Sequence, residues 1–226
     1  MNKRDRTKVF MAGLLIALTG VFAGGAWAGI SATKHNLSNG GPGTIKGDGT
    51  EICIFCHTPH DAIKTANIPL WNKQLSALNI SYGVYTSPTL NATDVTDVKM
   101  ITAADATVTN LCLSCHDGTV AINSFNNPSN LETVPVMVGT TAGKLPVGNS
   151  NLGTDLTNDH PVNFTYDQTL ADADKFLTAP ASLVGVKLFS NKVQCASCHD
   201  PHLSTNGAFL RVSMSGSALC LSCHTK

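Results

Sequence analysis

Charge and aromatic rings are scarce in this chain, and neither sign of charge prevails. Of 226 residues, 13% are Asp, Glu, Lys or Arg; acids and bases number 15 each, giving a formal net charge of zero. Only 6% are Phe, Trp or Tyr. Nowhere do cations form a run, so nucleic-acid binding has no electrostatic footing. Long apolar runs are absent beyond Val9–Val21, so no membrane span is expected in the remainder. Methionine is rare as well, with Met100, Met137 and Met214 the three after residue 28.

What the chain does have is Cys-x-x-Cys-His, four times over: Cys53–Cys56–His57, Cys112–Cys115–His116, Cys195–Cys198–His199 and Cys220–Cys223–His224. These copies use all eight cysteines. The spacing is the attachment signature of c-type haem: two thiols add across the haem vinyl groups, and the adjacent histidine binds iron from one face. Zinc sites, redox dithiols and disulfides also use paired cysteines. None of them requires histidine as the next residue in every copy. Four covalent haems are expected.

The N-terminus agrees with export. Lys3, Arg4, Arg6 and Lys8 precede the apolar run, and Ala26-Trp27-Ala28 closes it as an A-x-A cleavage site. Residues 1–28 are expected to be a cleaved signal peptide, leaving residues 29–226 as a single tetrahaem domain. An uncleaved anchor is the competing reading, since Val9–Ala28 is about long enough to span a bilayer. Without residues 1–28 the chain has eleven Lys/Arg and fourteen Asp/Glu, a formal charge of −3 before cofactors. Extracellular or cell-surface placement is expected, otherwise the periplasm.

The histidine count carries the next step. Besides the four motif histidines there are His35, His60, His160 and His202. Four irons with one proximal histidine each need four further ligands, so bis-histidine ligation throughout is the leading reading. Methionine would raise the reduction potential, but Met137 lies in the apolar run Val134–Val138, which reads as packing. Chain geometry restricts the pairing. Two histidines on opposite faces of one iron hold their Cα atoms about 12 Å apart, given metal–nitrogen bonds near 2 Å. Three residues reach at most about 11 Å. His60 therefore cannot complete the iron held by His57, nor His202 the iron held by His199. Each reaches another haem, in the same chain or, for His60 or His35, in a neighbouring molecule.

Leu111–His116 and Leu219–His224 are the same hexapeptide, and Cys56-His57-Thr58-Pro59-His60 echoes Cys198-His199-Asp200-Pro201-His202. This order suggests two paired-haem modules, about 29–120 and 160–226, joined by a loop-rich connection. Asn, Ser, Thr, Gly and Asp dominate 81–109 and 124–159. The expected fold is a multihaem cytochrome c, mostly coil with a few short helices and minimal strand, organised around a stacked haem chain. Each motif is expected on a single helical turn. A helix over Thr169–Thr178 with Leu170, Phe176 and Leu177 inward, and short strands over Val134–Val138 and Val184–Phe189, complete the expectation. About fifty residues per haem is thin for an ordinary core, so the haems themselves should fill it. Asp61, Asp117 and Asp200 lie close to the motifs, where they could tune haem potentials or cap turns.

The run Ile52–His60, then Leu111–Gly118, Asp159-His160-Pro161-Val162, Cys195–His202 and the closing Leu-Cys-Leu-Ser-Cys-His resemble the OmcE-type tetrahaem cytochromes, subunits of extracellular cytochrome filaments. The resemblance implies a homopolymer whose haems join into one conductor, with one axial histidine, His60 or His35 by motif position, passing between subunits. Other redox proteins or extracellular acceptors would be its partners. A monomeric periplasmic electron shuttle is the alternative. A redox enzyme is disfavoured, because catalysis at iron needs an open position and the histidine count leaves none.

Overall fold

The computed structural model describes residues 29–63, 70–95, 98–100, 105–128 and 131–226; the expected signal peptide, residues 1–28, lies outside them. Regular structure is sparse and short, as the composition implies. Two-residue strands β1 (Lys46–Gly47), β2 (Gly83–Val84), β3 (Met137–Val138), β4 (Asp155–Leu156), β5 (Phe164–Thr165) and β6 (Lys192–Val193) pair as β1–β3 and β5–β6 antiparallel and β2–β4 parallel. The helices are α1 (Val108–His116), α2 (Gln168–Asp174), α3 (Cys195–Cys198) and α4 (Ala218–Leu221), with 3-10 turns at Gly29–Ala32, Cys53–Phe55, Pro180–Ser182 and Ser215–Ser217.

The longest helix has identifiable ends. Thr107 is extended (φ −109°, ψ 172°), and the Asn110 side-chain oxygen accepts from both its N–H and its hydroxyl at 2.8 Å. Those bonds turn the chain into α1. At the other end the Asp117 N–H donates to Leu113 O (2.9 Å), and Gly118 leaves with φ +67°. A side chain there would collide with Asn151, so glycine serves both the left-handed backbone and the close approach.

Three expectations about local structure are corrected. The helix foreseen over Thr169–Thr178 runs Gln168–Asp174 instead. Asp167 caps it by accepting from Leu170 N–H (2.9 Å), and Lys175 stops it in the left-handed region (φ 62°). Phe176 consequently lies outside the helix and 45% exposed, with the Lys226 ammonium over its ring at 3.2 Å. Val184–Phe189 forms no strand: Val184 is exposed, Gly185 takes φ +79°, and the pairing residues are Lys192–Val193. In Val134–Val138 only Met137–Val138 is strand.

Side-chain packing is divided among three small buried groups: Tyr82, Val98, Leu113 and Leu156; Phe164, Tyr166, Leu170 and Val193; Phe55, Ile122 and Phe125. Met137 packs against the last of these. Each group backs one or more of the Cys-x-x-Cys-His segments. No described helix is long and apolar enough to cross a membrane.

Candidate haem-attachment sites

The four motifs do not share one local structure. The first lies on a 3-10 turn, the second forms the C-terminal half of the nine-residue α1, and the third and fourth lie on single turns, α3 and α4. A single turn suffices because the His57 and His224 N–H groups bond back to Cys53 O and Cys220 O at 2.8 Å, and His199 to Cys195 O at 3.1 Å. That closure places the histidine beside its two thiols.

Thiol electrostatics give the spatial order of the motifs. Burial first, then the thiols of Cys115 and Cys53, push Cys56 up to about 12. A hydrogen bond to Cys195 raises Cys112 well above the usual thiol value, with burial next, and lowers Cys195. Burial, then Cys195 and Cys220, raise Cys198; burial, then Cys198, take Cys223 to about 11. The first motif therefore neighbours the second, the second the third, and the third the fourth. All eight cysteines are free thiols.

The central junction is a buried polar clamp. Gln194, the residue before the third motif, accepts from the Thr109 N–H (3.1 Å) and hydroxyl (2.5 Å) through its side-chain oxygen. Its amide nitrogen donates to Asn163 (3.0 Å), and its N–H to Ser197 (2.9 Å). Cys195 N–H also donates to Thr109 (3.3 Å). These bonds fix α1 against α3, and with them the second motif against the third.

Six of the eight histidines stand in pairs. Ring centroids are 6.2 Å apart for His35–His116, 6.2 Å for His57–His202 and 6.4 Å for His160–His224. Two metal–nitrogen bonds of about 2 Å plus the two ring radii put the centroids of imidazoles on one iron ~6.3 Å apart. Each pair joins one motif histidine to one non-motif histidine. His202 stands beside His57 and not beside His199, three residues away. Among the described residues no other histidine ring stands beside His60 or His199; both are exposed.

Hydrogen bonds orient several of these rings. The Nδ1 atoms of His116, His160 and His199 lie 2.6, 2.9 and 2.8 Å from the carbonyls of Ser150, Pro161 and Ala208. With Nδ1–H donated to a carbonyl, the Nε2 lone pair is left for a metal. Ala208 and Phe209 take left-handed φ values of 43° and 59°, which aim that carbonyl at His199 and stack Phe209 on His35 at 4.2 Å. His202 differs: its Nδ1 faces Asp200 at 3.2 Å, and Asp200 is held by Arg211 at 2.9 Å. Burial acts to raise the Asp200 carboxyl, but the His202 N–H, Arg211 and the His202 ring outweigh it and hold the group below its usual value. Asp117 is structural by contrast. It is buried and accepts from Ser76 (2.5 Å), Tyr82 (2.7 Å) and Thr119 (2.8 Å). Asp61 contributes a backbone carbonyl, taken by Asn126 at 2.5 Å.

The donor set fits covalent haem. Free thiols adjoin every motif histidine, three histidine pairs have the spacing of an axial pair, and no three His, Cys, Asp or Glu side chains among the described residues converge as a zinc centre would require. Buried polar groups are ordinarily satisfied, yet three side-chain nitrogens are buried without a hydrogen-bond partner: His35 Nδ1, Trp71 Nε1 and Lys73 Nζ. Each lies against the motifs. Trp71 is edge-on to His57 at 6.1 Å. Burial lowers Lys73, opposed by Cys115, Asp117 and Cys56, and burial and then His116 take His35 down to about 4. Unpaired buried polar atoms beside the motifs fit an interior that a bound prosthetic group completes.

Sequence reasoning missed Gln194, Trp71, Lys73 and Phe209. Adjacency to a motif marks only the first of these; the others reach the site through tertiary contact. Residues 188–226, which hold the third and fourth motifs, match the family described as doubled CXXCH motif. No curated protein matches the chain. Together with the motif, that match indicates a multihaem c-type cytochrome, which transfers electrons through covalently attached haem.

Proposed function

We propose that the chain carries four bis-histidine haems in the order of its motifs and is the repeating subunit of an extracellular conducting filament. When bound, haem supplies the one-electron couple of its iron. The polypeptide's part is placement. Each Cys-x-x-Cys-His turn fixes a thiol pair and a proximal histidine, the Gln194–Thr109 clamp fixes the second motif against the third, and the distal histidines cross from one motif's neighbourhood to another's. The observation that carries the electron-transfer reading is the set of three histidine pairs at 6.2–6.4 Å on motifs that neighbour one another in unbroken succession.

The filament rests on the resemblance and on the two histidines left over. His35, one of the two candidates for the crossing ligand, is half-buried, its ring against His116 and Phe209. His60 is exposed, its backbone carbonyl held by Thr58 and Asn127 at 2.9 Å. His199 has its Nδ1 engaged and no distal partner. His60 of one copy serving the iron at His199 of the next completes the set. The fourth motif adds an apolar surface: Leu221 is 49% exposed, whereas Leu113, its equivalent in the identical hexapeptide, is 1% exposed.

Electron cryo-microscopy of protein sheared from cells, beside a His60→Ala variant, tests this. Wild-type filaments with an unbroken haem line, and a variant that carries all four haems yet stays dispersed, support the proposal. Dispersed periplasmic wild type with four internally ligated haems replaces it with the shuttle.

A further inference from the structure

The eight histidines divide into three pairs and two singles, and the singles are not equivalent. His199 belongs to an attachment motif, so its ring binds iron; His60 does not. No other histidine of the same chain is placed to take the opposite face of the His199 iron. His202 lies three residues along, too short a span to cross a haem, and its ring stands 6.2 Å from His57. His35 is close enough to His199 to feel its charge, yet its ring faces His116 and is stacked on Phe209. His160 stands with His224. The surroundings are open as well: Pro201–Ala208, the loop following the third motif, is exposed throughout, and His199 itself is exposed. The first motif is enclosed differently, with Phe55 and Thr58 buried on either side of His57.

We infer that in the dispersed chain the third attachment site, Cys195–Cys198–His199, is a small-ligand site whose iron has one coordination position unfilled by any side chain, and that it takes a neutral π-acceptor such as carbon monoxide in the ferrous state. The inference rests on the haem-carrying reading above, though not on polymerisation. His60 of a second copy competes for the same position, so assembly converts a ligand-binding subunit into a ligand-refractory one. Binding is simple coordination: carbon monoxide donates a lone pair to ferrous iron, and no bond is broken or electron transferred.

The test is carbon monoxide titration of the reduced holoprotein, followed by the Soret band and counted against total haem. Dispersed wild type should bind one carbon monoxide for every four haems. His35→Ala should raise it to two in four by opening the second site. Spectroscopy without added ligand supplies an independent readout, as one haem in four should be high-spin. A dispersed wild type that is wholly low-spin and inert to carbon monoxide overturns the inference, and so does a ferric His/Met absorption band at the third site. One-in-four binding by a protein that never polymerises leaves the inference standing and removes the filament. Filaments formed from subunits that bind no carbon monoxide when dispersed do the reverse.

Discussion

Replacing Gln194 by Ala removes the clamp between α1 and α3, and its cost can be worked from the contacts. Three side-chain bonds are lost: two from Thr109 (3.1 and 2.5 Å) and one to Asn163 (3.0 Å). Thr109 is 0% exposed and Gln194 3% exposed, so water does not replace the lost acceptor. A hydrogen bond contributes a net ~1 kcal/mol, and each buried donor left unpaired costs ~1–3 kcal/mol. The expected destabilisation is about 2–5 kcal/mol. Thr109→Val in the same background deletes the hydroxyl that Gln194→Ala orphans, so the double variant should be less damaged than the sum of the singles, with a coupling of about 1–2 kcal/mol. Guanidinium unfolding of the holoprotein, followed by tryptophan emission and the Soret band, measures all four corners. A Gln194→Ala cost under ~0.5 kcal/mol, or strict additivity, would refute the clamp. The functional counterpart is slower electron exchange between the second and third haems with little change elsewhere.

Three further outcomes are expected. Leu113→Ala, at a 1% exposed position packed with Tyr82, Val98 and Leu156, should cost about 2–5 kcal/mol; Leu221→Ala, the same change in the same hexapeptide, should cost no more than ~0.5 kcal/mol in dispersed protein under the same denaturant titration. Asp200→Asn removes the charged acceptor facing His202 Nδ1 at 3.2 Å, making that ligand less electron-donating. A differential of ~1 kcal/mol corresponds to roughly +40 mV for one electron, read by spectroelectrochemistry at the haem proposed to lie between His57 and His202. Acid should weaken the joint between Asp94 and β5. Burial raises the Asp94 carboxyl, but bonds from Thr165 and the Lys192 ammonium at 3.7 Å hold it below its usual value. Its contribution is thus present above the unfolded carboxylate value near ~4 and is lost as pH falls through the lower folded value. Asp94→Asn should flatten that part of the stability profile.

What could be read from the sequence followed the range of the interaction. The attachment sites are contiguous pentapeptides, so spacing alone identifies them. Coil content was legible too, because Asn, Ser, Thr, Gly and Asp punctuate every interval between motifs. The end of α2 was not. Lys175 has no composition signal for the left-handed turn that stops the helix, and Phe176 satisfied the apolar period while packing elsewhere. The three-residue spacing bars His60 from pairing with His57 and His202 with His199, but choosing the actual partners needs the fold. His35 and His116 are 81 positions apart in sequence, and nothing local marks one for the other. Lys73 shows the same limit: a fully buried ammonium inside a short extended segment has the sequence appearance of any surface lysine.

The succession of motifs, each beside the next in line, has a consequence for how the protein is made. If the four haems follow the motifs as proposed, an electron entering at one end passes through each in turn, so the subunit would behave as resistances in series, with the poorest step governing the whole. A chain released with one vacant pair of thiols would not be a three-quarters conductor; it would be an insulator. Built into a polymer, it would cut the wire at that point for every subunit on either side. Selection would then fall on the fidelity of haem loading after translocation at least as heavily as on the potential of any single haem.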